Sequence, residues 1–291
     1  MTIQKFVLIT GASTGIGAAC ALHLDRLGFR VFAGVRREAD GEALQQQIVS
    51  VTHPLREDAS HLRLTPIMLD VTDPATITAA ADTVTTTVGE AGLAGLVNNA
   101  GIALGGPLEF LPIAELRRQF EVNVIGQVAV TQAFLPLLRQ GRGRVVNMGS
   151  ISGRVAMPFI GPYAASKFAL EALTDSLRVE LRPWGIEVAI IEPGPIATPI
   201  WQKSLALADE LIRNLPPAGR DLYGAAITMA HDKVIKTSQA GISPEVVAQV
   251  VAHALTAKRP KTRYLVGRGV WLALLFAKFI PDRLRDWLIT R

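Results

Sequence analysis

The stretch TGASTGIG, Thr10 to Gly17, follows the apolar run FVLI directly and leads into Ile16, Cys20, Leu24 and Leu27 at helical spacing. Its glycines are set Gly-x-x-x-Gly-x-Gly. Gly11 permits a tight turn, Gly15 lets the backbone come close to a diphosphate, and Gly17 lets the helix pack on the strand. The N–H groups at the positive end of the new helix then face an anion. Three glycines by themselves also suit a plain turn. The strand before and the helix after favour the anion-binding reading and predict a dinucleotide-binding βαβ unit.

About twenty residues beyond such a loop, the next strand ends in the group that reads the adenosine ribose. Here it ends AGVRRE. Val35 stands where an acid would take the 2′-hydroxyl of NAD, and Arg36 and Arg37 follow. With no carboxylate to repel a phosphate and with guanidinium available for bidentate contact, NADP is expected over NAD. The competing reading makes both arginines solvent-facing residues at a helix start.

Six further apolar, β-rich runs continue the pattern: RVFAGV, LTPIML, LAGLVN, RVVNM, IEVAII and TRYLV. They alternate with segments of helical period such as Ile77, Ala81, Val84 and Val88. Strand and helix in strict alternation predict an α/β fold, a doubly wound parallel sheet of about seven strands with helices on both faces. At 291 residues and 49% hydrophobic content, with no repeat or Pro/Ser-rich linker, a single domain over 1–291 is expected.

Two segments break the rhythm. Ser50 to Arg63 is polar, and its His53 and His61 lack further ligand types at metal spacing, so a loop and no metal site are expected. From about 197 to 240 apolar residues follow no single period: Trp201, Leu205, Leu211, Ile212, Tyr223, Ile227, Met229. An insertion after the sixth strand lies where ligands bind in doubly wound sheets, so it is expected to cover the substrate. Ser243 and Pro244 restart regular helix as N-cap and first-turn residue.

The N-terminus runs from Met1 into KFVLIT without a leader-like pattern, and Cys20 is the single cysteine, on the apolar side of the first helix. A core thiol in a reducing cytoplasm is expected. The net charge of +5 is concentrated: from Lys258 to Arg291 nine Lys/Arg face only Asp282 and Asp286. No aromatic-and-basic nucleic-acid motif accompanies them. The apolar run in GVWLALLFAKFIPDRLRDWLITR is about ten residues long, too short to span a bilayer. Residues 269–291 are expected either to lie in a membrane interface, with Lys278, Arg283 and Arg285 beside the aromatics, or to cover the pocket or a subunit contact.

Taken together, TGASTGIG, LDVTD at Leu69 to Asp73, NNAG at Asn98 to Gly101, Asn123, NMGSISG around Ser150, YAASK at Tyr163 to Lys167 and PGPIAT at Pro193 to Thr198 resemble the short-chain dehydrogenase/reductase family. The seven motifs span about two hundred residues in order. The later segments look most like its retinol and hydroxysteroid dehydrogenase branch. The resemblance implies a catalytic set of Asn123, Ser150, Tyr163 and Lys167. It also implies a cofactor site built from Thr10, Gly11, Ser13, Gly15, Ile16, Gly17, Arg36, Arg37, Asp70, Val71, Asn98, Ala100, Gly101, Pro193, Gly194, Ile196 and Thr198, with Tyr163 and Lys167 reaching it as well. Within that site Asp70 would take the adenine, Asn98 the central strand and ribose, and Ile196 and Thr198 the nicotinamide carboxamide. A homodimer or homotetramer is implied too.

The chemistry fits these residue types. Reducing a ketone by hydride puts charge on oxygen, so a proton donor is needed about 2.6–3.2 Å away. A phenol ordinarily titrates near 10, and an ammonium about 5 Å away supplies about 3 kcal/mol at an effective dielectric near 20. Residues i and i+4 are neighbours on a helix, which sets Lys167 beside Tyr163. Tyr-x-x-x-Lys alone is common on helix surfaces; Ser150, thirteen residues upstream, gives it meaning. Two readings follow: an NADP-dependent oxidoreductase acting on a lipophilic carbonyl or alcohol, with a generic carbonyl or 3-oxoacyl reductase as its rival, or a cofactor-binding regulator that has lost turnover.

Overall fold

The computed structural model describes residues 4–52 and 63–289. Seven parallel strands form one sheet: β1 (Phe6–Ile9), β2 (Arg30–Val35), β3 (Leu64–Met68), β4 (Gly95–Asn98), β5 (Arg144–Met148), β6 (Glu187–Pro193) and β7 (Arg263–Val266). Their spatial order is β3-β2-β1-β4-β5-β6-β7. Each of the seven apolar runs is a strand, as expected, within one domain.

The strands alternate by face, as the period of two requires. Val7 and Ile9 join the core under α1 (Gly15–Arg26), α2 (Glu38–Thr52) and α9 (Pro244–Thr256). Phe6 and Leu8 join the opposite core under α3 (Pro74–Val88), α5 (Gly126–Gly141) and the end of α6 (Gly161–Glu180). Cys20 is fully buried in the first core, where burial pushes its thiol up to about 12. It is a packing residue.

The chain winds outward from β1 to β3, then returns to start again at β4 on the other side of β1. At that reversal the two connections leave in opposite directions and a crevice opens at the carboxyl ends of β1 and β4. Everything functional described below borders it.

The run after β4 is one nearly continuous helix: α4 (Ile113–Phe120), a π-helical turn at Glu121–Ile125, and α5. It is the one helix among the described residues long and apolar enough to cross a membrane, and half of it is buried within the protein as core.

The aperiodic insertion is helical: α7 (Ile200–Arg213) and α8 (Pro217–Gln239). No residue of α7 is buried, and only Gly219 and Ile227 of α8 are. Helix α7 carries a half-buried stripe at helical spacing, Trp201, Ser204, Leu205, Ala208, Leu211 and Ile212. Helix α8 has no clean one, so no single period ran through the insertion as a whole. Helix α2 runs to Thr52, into the stretch expected as loop; His53 and His61 lie outside the described residues. The C-terminal segment is α10 (Val270–Phe279) and α11 (Asp282–Ile289).

Candidate active site

The glycine loop is held by groups from the strand next door. Gly11 and Gly15 have φ of +62° and +59°, a region costly for a residue with a Cβ. A Cβ on Gly17 would lie 2.2 Å from the Gly11 carbonyl oxygen. The Thr10 hydroxyl accepts from the backbone N–H of Asn99 and of Ala100, each at 3.0 Å. The Asn99 side-chain amide donates to the Thr10 and Gly11 carbonyls, again at 3.0 Å. Helix α1 begins after Thr14, whose side chain makes no capping hydrogen bond, and its first turn carries no acid. Orphan N–H groups at the positive end of a helix, with backbone turned back by two left-handed glycines, fit a diphosphate.

These features line a crevice of about 800 Å³, within the size of ordinary ligand sites. Its nucleotide end is bordered by Ser13, Gly15, Ile16, Arg36, Asp70 and Val71; Gly11, Ala100 and Gly101 lie along it. Ser150, after β5, and Tyr163 and Lys167, on α6, line the far end. Pro193, Gly194, Ile196 and Thr198 line it from the end of β6 onward, with Thr198 against Gly15, where a Cβ would lie 3.2 Å from Thr198 Cβ. Residues drawn from six strand ends therefore meet in one place.

Five expected site residues stand outside this lining. Thr10 and Gly17 act through the loop, as above. Arg37 is exposed and turns to Asp40 at 2.7 Å, so only Arg36 of the pair borders the crevice. Asn98 is fully buried behind it, where its amide donates to Thr131 Oγ1 at 2.8 Å and Asn147 Oδ1 at 2.9 Å. It ties β4 to β5 and α5, and the expected reach to a ribose has no counterpart in this geometry. Asn123, in the π-helical turn, is also fully buried. Its Oδ1 accepts from the Ile102 N–H at 2.9 Å, and its Nδ2 donates to the Ile102 carbonyl at 2.9 Å and to Ser166 Oγ at 3.1 Å. It braces the segment above Gly101.

Asp70 is not a helix cap. Its Oδ1 takes the N–H and hydroxyl of Thr72 at 3.0 and 2.8 Å, while Asp73 caps α3 through the Ala75 N–H. The Ile196 carbonyl accepts the Trp201 indole N–H at 2.6 Å, which pins the first turn of α7 to the crevice wall.

At the far end, Tyr163 sits in the first turn of α6 with Lys167 one turn on. Lys167 is buried, its Nζ donates to the Met148 carbonyl at 2.6 Å, and the ammonium lies 5.8 Å from the Tyr163 ring centre. The tyrosine hydroxyl does not follow the lowered titration expected beside a cation: burial raises it, and hydrogen bonding with Ser150 works the other way. Desolvation of the phenol outweighs the rest; Lys167 gives one of its three N–H donors to Met148, and burial brings its own titration down to about 8. A hydroxyl pair with a buried cation behind it can bind and protonate a developing oxyanion.

Several lining residues were not named as site residues from the sequence, among them Asn99, Met148 and Lys203, whereas Trp201 lines the crevice from the insertion expected to cover it. Asn99 had a signal in the doubled asparagine of NNAG. Lys203 had none beyond being a cation in the insertion.

The comparisons agree with this geometry. The family model for short chain dehydrogenase matches residues 5–207. Retinol dehydrogenase 5 of Mus musculus is 41% identical, over 99% of this chain and 88% of its own length. The 17-beta-hydroxysteroid dehydrogenase type 6 of Bos taurus is 36% identical, over 99% and 88%. A solved short chain dehydrogenase from Burkholderia cenocepacia J2315, in complex with NADP, is 26% identical over the whole of both chains with a TM-score of 0.70. With a glycine loop at the switch point, a nicotinamide dinucleotide crevice beside it and this match along the chain, the protein belongs to the short chain dehydrogenase family, an oxidoreductase of its retinol and hydroxysteroid branch.

Proposed function

We propose that this oxidoreductase moves a hydride between NADP(H) and a lipophilic carbonyl or alcohol of steroid, retinoid or aliphatic-ketone type, with Tyr163 as the proton donor and acceptor. The observation that carries the reading is one crevice with Arg36 at one end and Ser150, Tyr163 and Lys167 at the other. The dinucleotide, when bound, supplies the hydride. Ser13, Gly15 and Ile16 would hold its diphosphate and Arg36 its 2′-phosphate. Ser150 and Tyr163 hold the substrate oxygen, Tyr163 gives up or takes the proton, and Lys167 keeps positive charge behind it.

The lipophilic part of the reading rests on the cover. Trp201 and Val234 border the crevice from α7 and α8, and pockets for such ligands are lined mainly by apolar groups. The retinol and steroid dehydrogenases named above support the same class. A panel of steroid, retinoid and aliphatic ketones with NADPH, read at 340 nm, tests it. NADPH oxidation with at least one member, and a preference over NADH that Arg36→Glu reverses, is the expected result; a wild-type preference for NADH overturns the NADP reading.

A second reading concerns residues 269–291. Trp271 is 56% exposed, Phe279 70% and Trp287 47%, interleaved with Lys278, Arg283 and Arg285. We take this as a peripheral membrane contact made by a cytoplasmic enzyme. Truncation after Gly269 is expected to shift the protein from the anionic-liposome fraction to the soluble one. A homo-oligomer is part of the proposal as well: α6 exposes Phe168 and Val179, and light scattering at two or four times the chain mass checks it.

A further inference from the structure

Helix α6 carries four ionisable groups at a spacing of four: Tyr163, Lys167, Glu171 and Asp175. That spacing stacks them on one face, running from the crevice to the outside. The first two belong to the site already described. Glu171, one turn beyond Lys167, is buried. Gly153 leaves the room for it: a Cβ there would lie 2.9 Å from the Lys167 carbonyl oxygen and 3.2 Å from Glu171 Cγ.

Glu171 is not an ordinary ion pair partner. Its Oε2 accepts from Arg263 Nε at 3.2 Å, while its Oε1 is buried with no hydrogen-bond partner among the described residues. The same Arg263 Nε lies 3.3 Å from Oε1 of Glu192, a fully buried carboxylate on β6. Two buried carboxylates thus share one guanidinium N–H. The other charges facing them are Arg154 beyond β5, 3.2 Å from Glu192, and Asp175 and Arg178 on α6, with Asp175 2.6 Å from Arg263. Arg154, Arg178 and Arg263 already balance Glu171, Glu192 and Asp175 in number, so the cluster needs no cation from the crevice. Lys167 stands at its edge.

We propose that Glu171 is a positioning residue for Lys167: its buried carboxylate holds the lysine in the charged form, and Glu192, by competing for Arg263, governs how much charge Glu171 itself carries. This rests on Lys167 acting as the cation behind Tyr163. Burial penalises the ammonium and Glu171 opposes that penalty. Burial and Glu192 in turn favour a protonated Glu171. The two substitutions that remove these carboxylates should therefore act at different places: removing Glu171 moves Lys167, and removing Glu192 moves Glu171.

The test is a pH titration of lysine labelled with 13C at Cε, one resonance per lysine, that of Lys167 identified by its loss in Lys167→Met. In the wild type its midpoint is expected at about 8. Glu171→Gln is expected to lower it by about one unit or more and Glu171→Asp to restore part of the shift. Glu192→Gln should leave Lys167 nearly unmoved, because Glu171 is already mostly ionised near pH 8. It should instead lower the midpoint of Glu171 itself from about 7, read on 13C-labelled glutamate. The alkaline limb of kcat should follow Lys167 in the same directions. An unchanged Lys167 midpoint in Glu171→Gln overturns the proposal; should that variant fail to fold, an unchanged Lys167 midpoint in Glu171→Asp, or an unchanged Glu171 midpoint in Glu192→Gln, does so. Because the titration needs no turnover, an enzyme inactive on every ketone would undo the proposed function and leave this result readable.

Discussion

The wall of the crevice and its cover are built to different standards. The wall is a lattice of buried polar pairs: Thr10 with Asn99 and Ala100, Asn98 with Thr131 and Asn147, Asn123 with Ile102 and Ser166. The cover, α7 and α8, buries almost nothing and is tied down at a few points: the Trp201 indole on the Ile196 carbonyl, Ser204 on the Ala103 carbonyl, Tyr223 on Glu109. Buried networks fix geometry because leaving any member unpaired is costly. Sparse surface contacts leave local opening cheap. The groups proposed to react stand on the stiff part, and those proposed to meet the bulk of the substrate stand on the loose one.

The largest effect should come from the stiff part. Tyr163→Phe removes the proton donor without changing the packing of its ring, and is expected to lower kcat about 10²–10⁴-fold. NADPH affinity, measured by nucleotide fluorescence, should stay within about threefold. Activity within tenfold of wild type would take the tyrosine out of the mechanism. Next comes Gly17→Ala. The new methyl meets the Gly11 oxygen at 2.2 Å and Ala12 Cα at 2.9 Å, both backbone atoms that cannot step aside. About 3 kcal/mol of stability should go, at the upper end for overpacking, with at least a tenfold loss of NADPH affinity as the loop shifts.

The same contrast decides what could be read in advance. All seven strands announced themselves, because buried parallel strands are short apolar runs with turn signals on either side. The trio Ser150, Tyr163 and Lys167 stood out through the resemblance to the family, since a Tyr-x-x-x-Lys pair by itself is common on helix surfaces; the structure brings all three to the crevice. Asn98 and Asn123 were recognised as important, yet their spacing could not say which way an amide turns: both face into the protein, and only the folded neighbours Thr131, Asn147 and Ile102 decide that. Arg36 and Arg37 are indistinguishable by type. A three-residue step to Asp40 turns one outward. The helices of the cover were missed as helices because α8 has hardly any buried face to give a period. The stripe on α7, Trp201, Leu205, Ala208 and Ile212, was read together with it as one aperiodic segment.

A smaller effect probes the wall through pH. Glu171 titrates at about 7 against an ordinary 4.5, so the folded protein holds a proton there that the unfolded chain releases. The stability this contributes is full below about 4.5 and is lost as pH rises toward 7. Lys167 runs the other way: at about 8 against 10.5, it imposes a cost that is full below 8 and relieved as pH rises through 10.5. Urea unfolding of the wild type should thus weaken by about 2 kcal/mol between pH 5 and 7 from Glu171. Glu171→Gln should flatten that limb and start the Lys167 rise about one unit lower, near pH 7. No comparable limb is expected from the cover.

The smallest effect is the most direct challenge to the comparison, because it makes the Gly17 substitution again in the loose part. Gly224 lies inside α8, and a Cβ there meets nothing within 4 Å. Alanine costs no overpacking at such a position and removes the excess freedom glycine has in the unfolded chain. Gly224→Ala should raise the unfolding free energy by about 0.5–1 kcal/mol, opposite in sign to Gly17→Ala. If the cover works by opening, stiffening its longer helix should also slow the turnover of bulky ketones more than of small ones, a change in kcat readable across the substrate panel. Destabilisation by Gly224→Ala would mean that α8 packs against something more than the crevice it covers, and the division between wall and cover would have to be redrawn there.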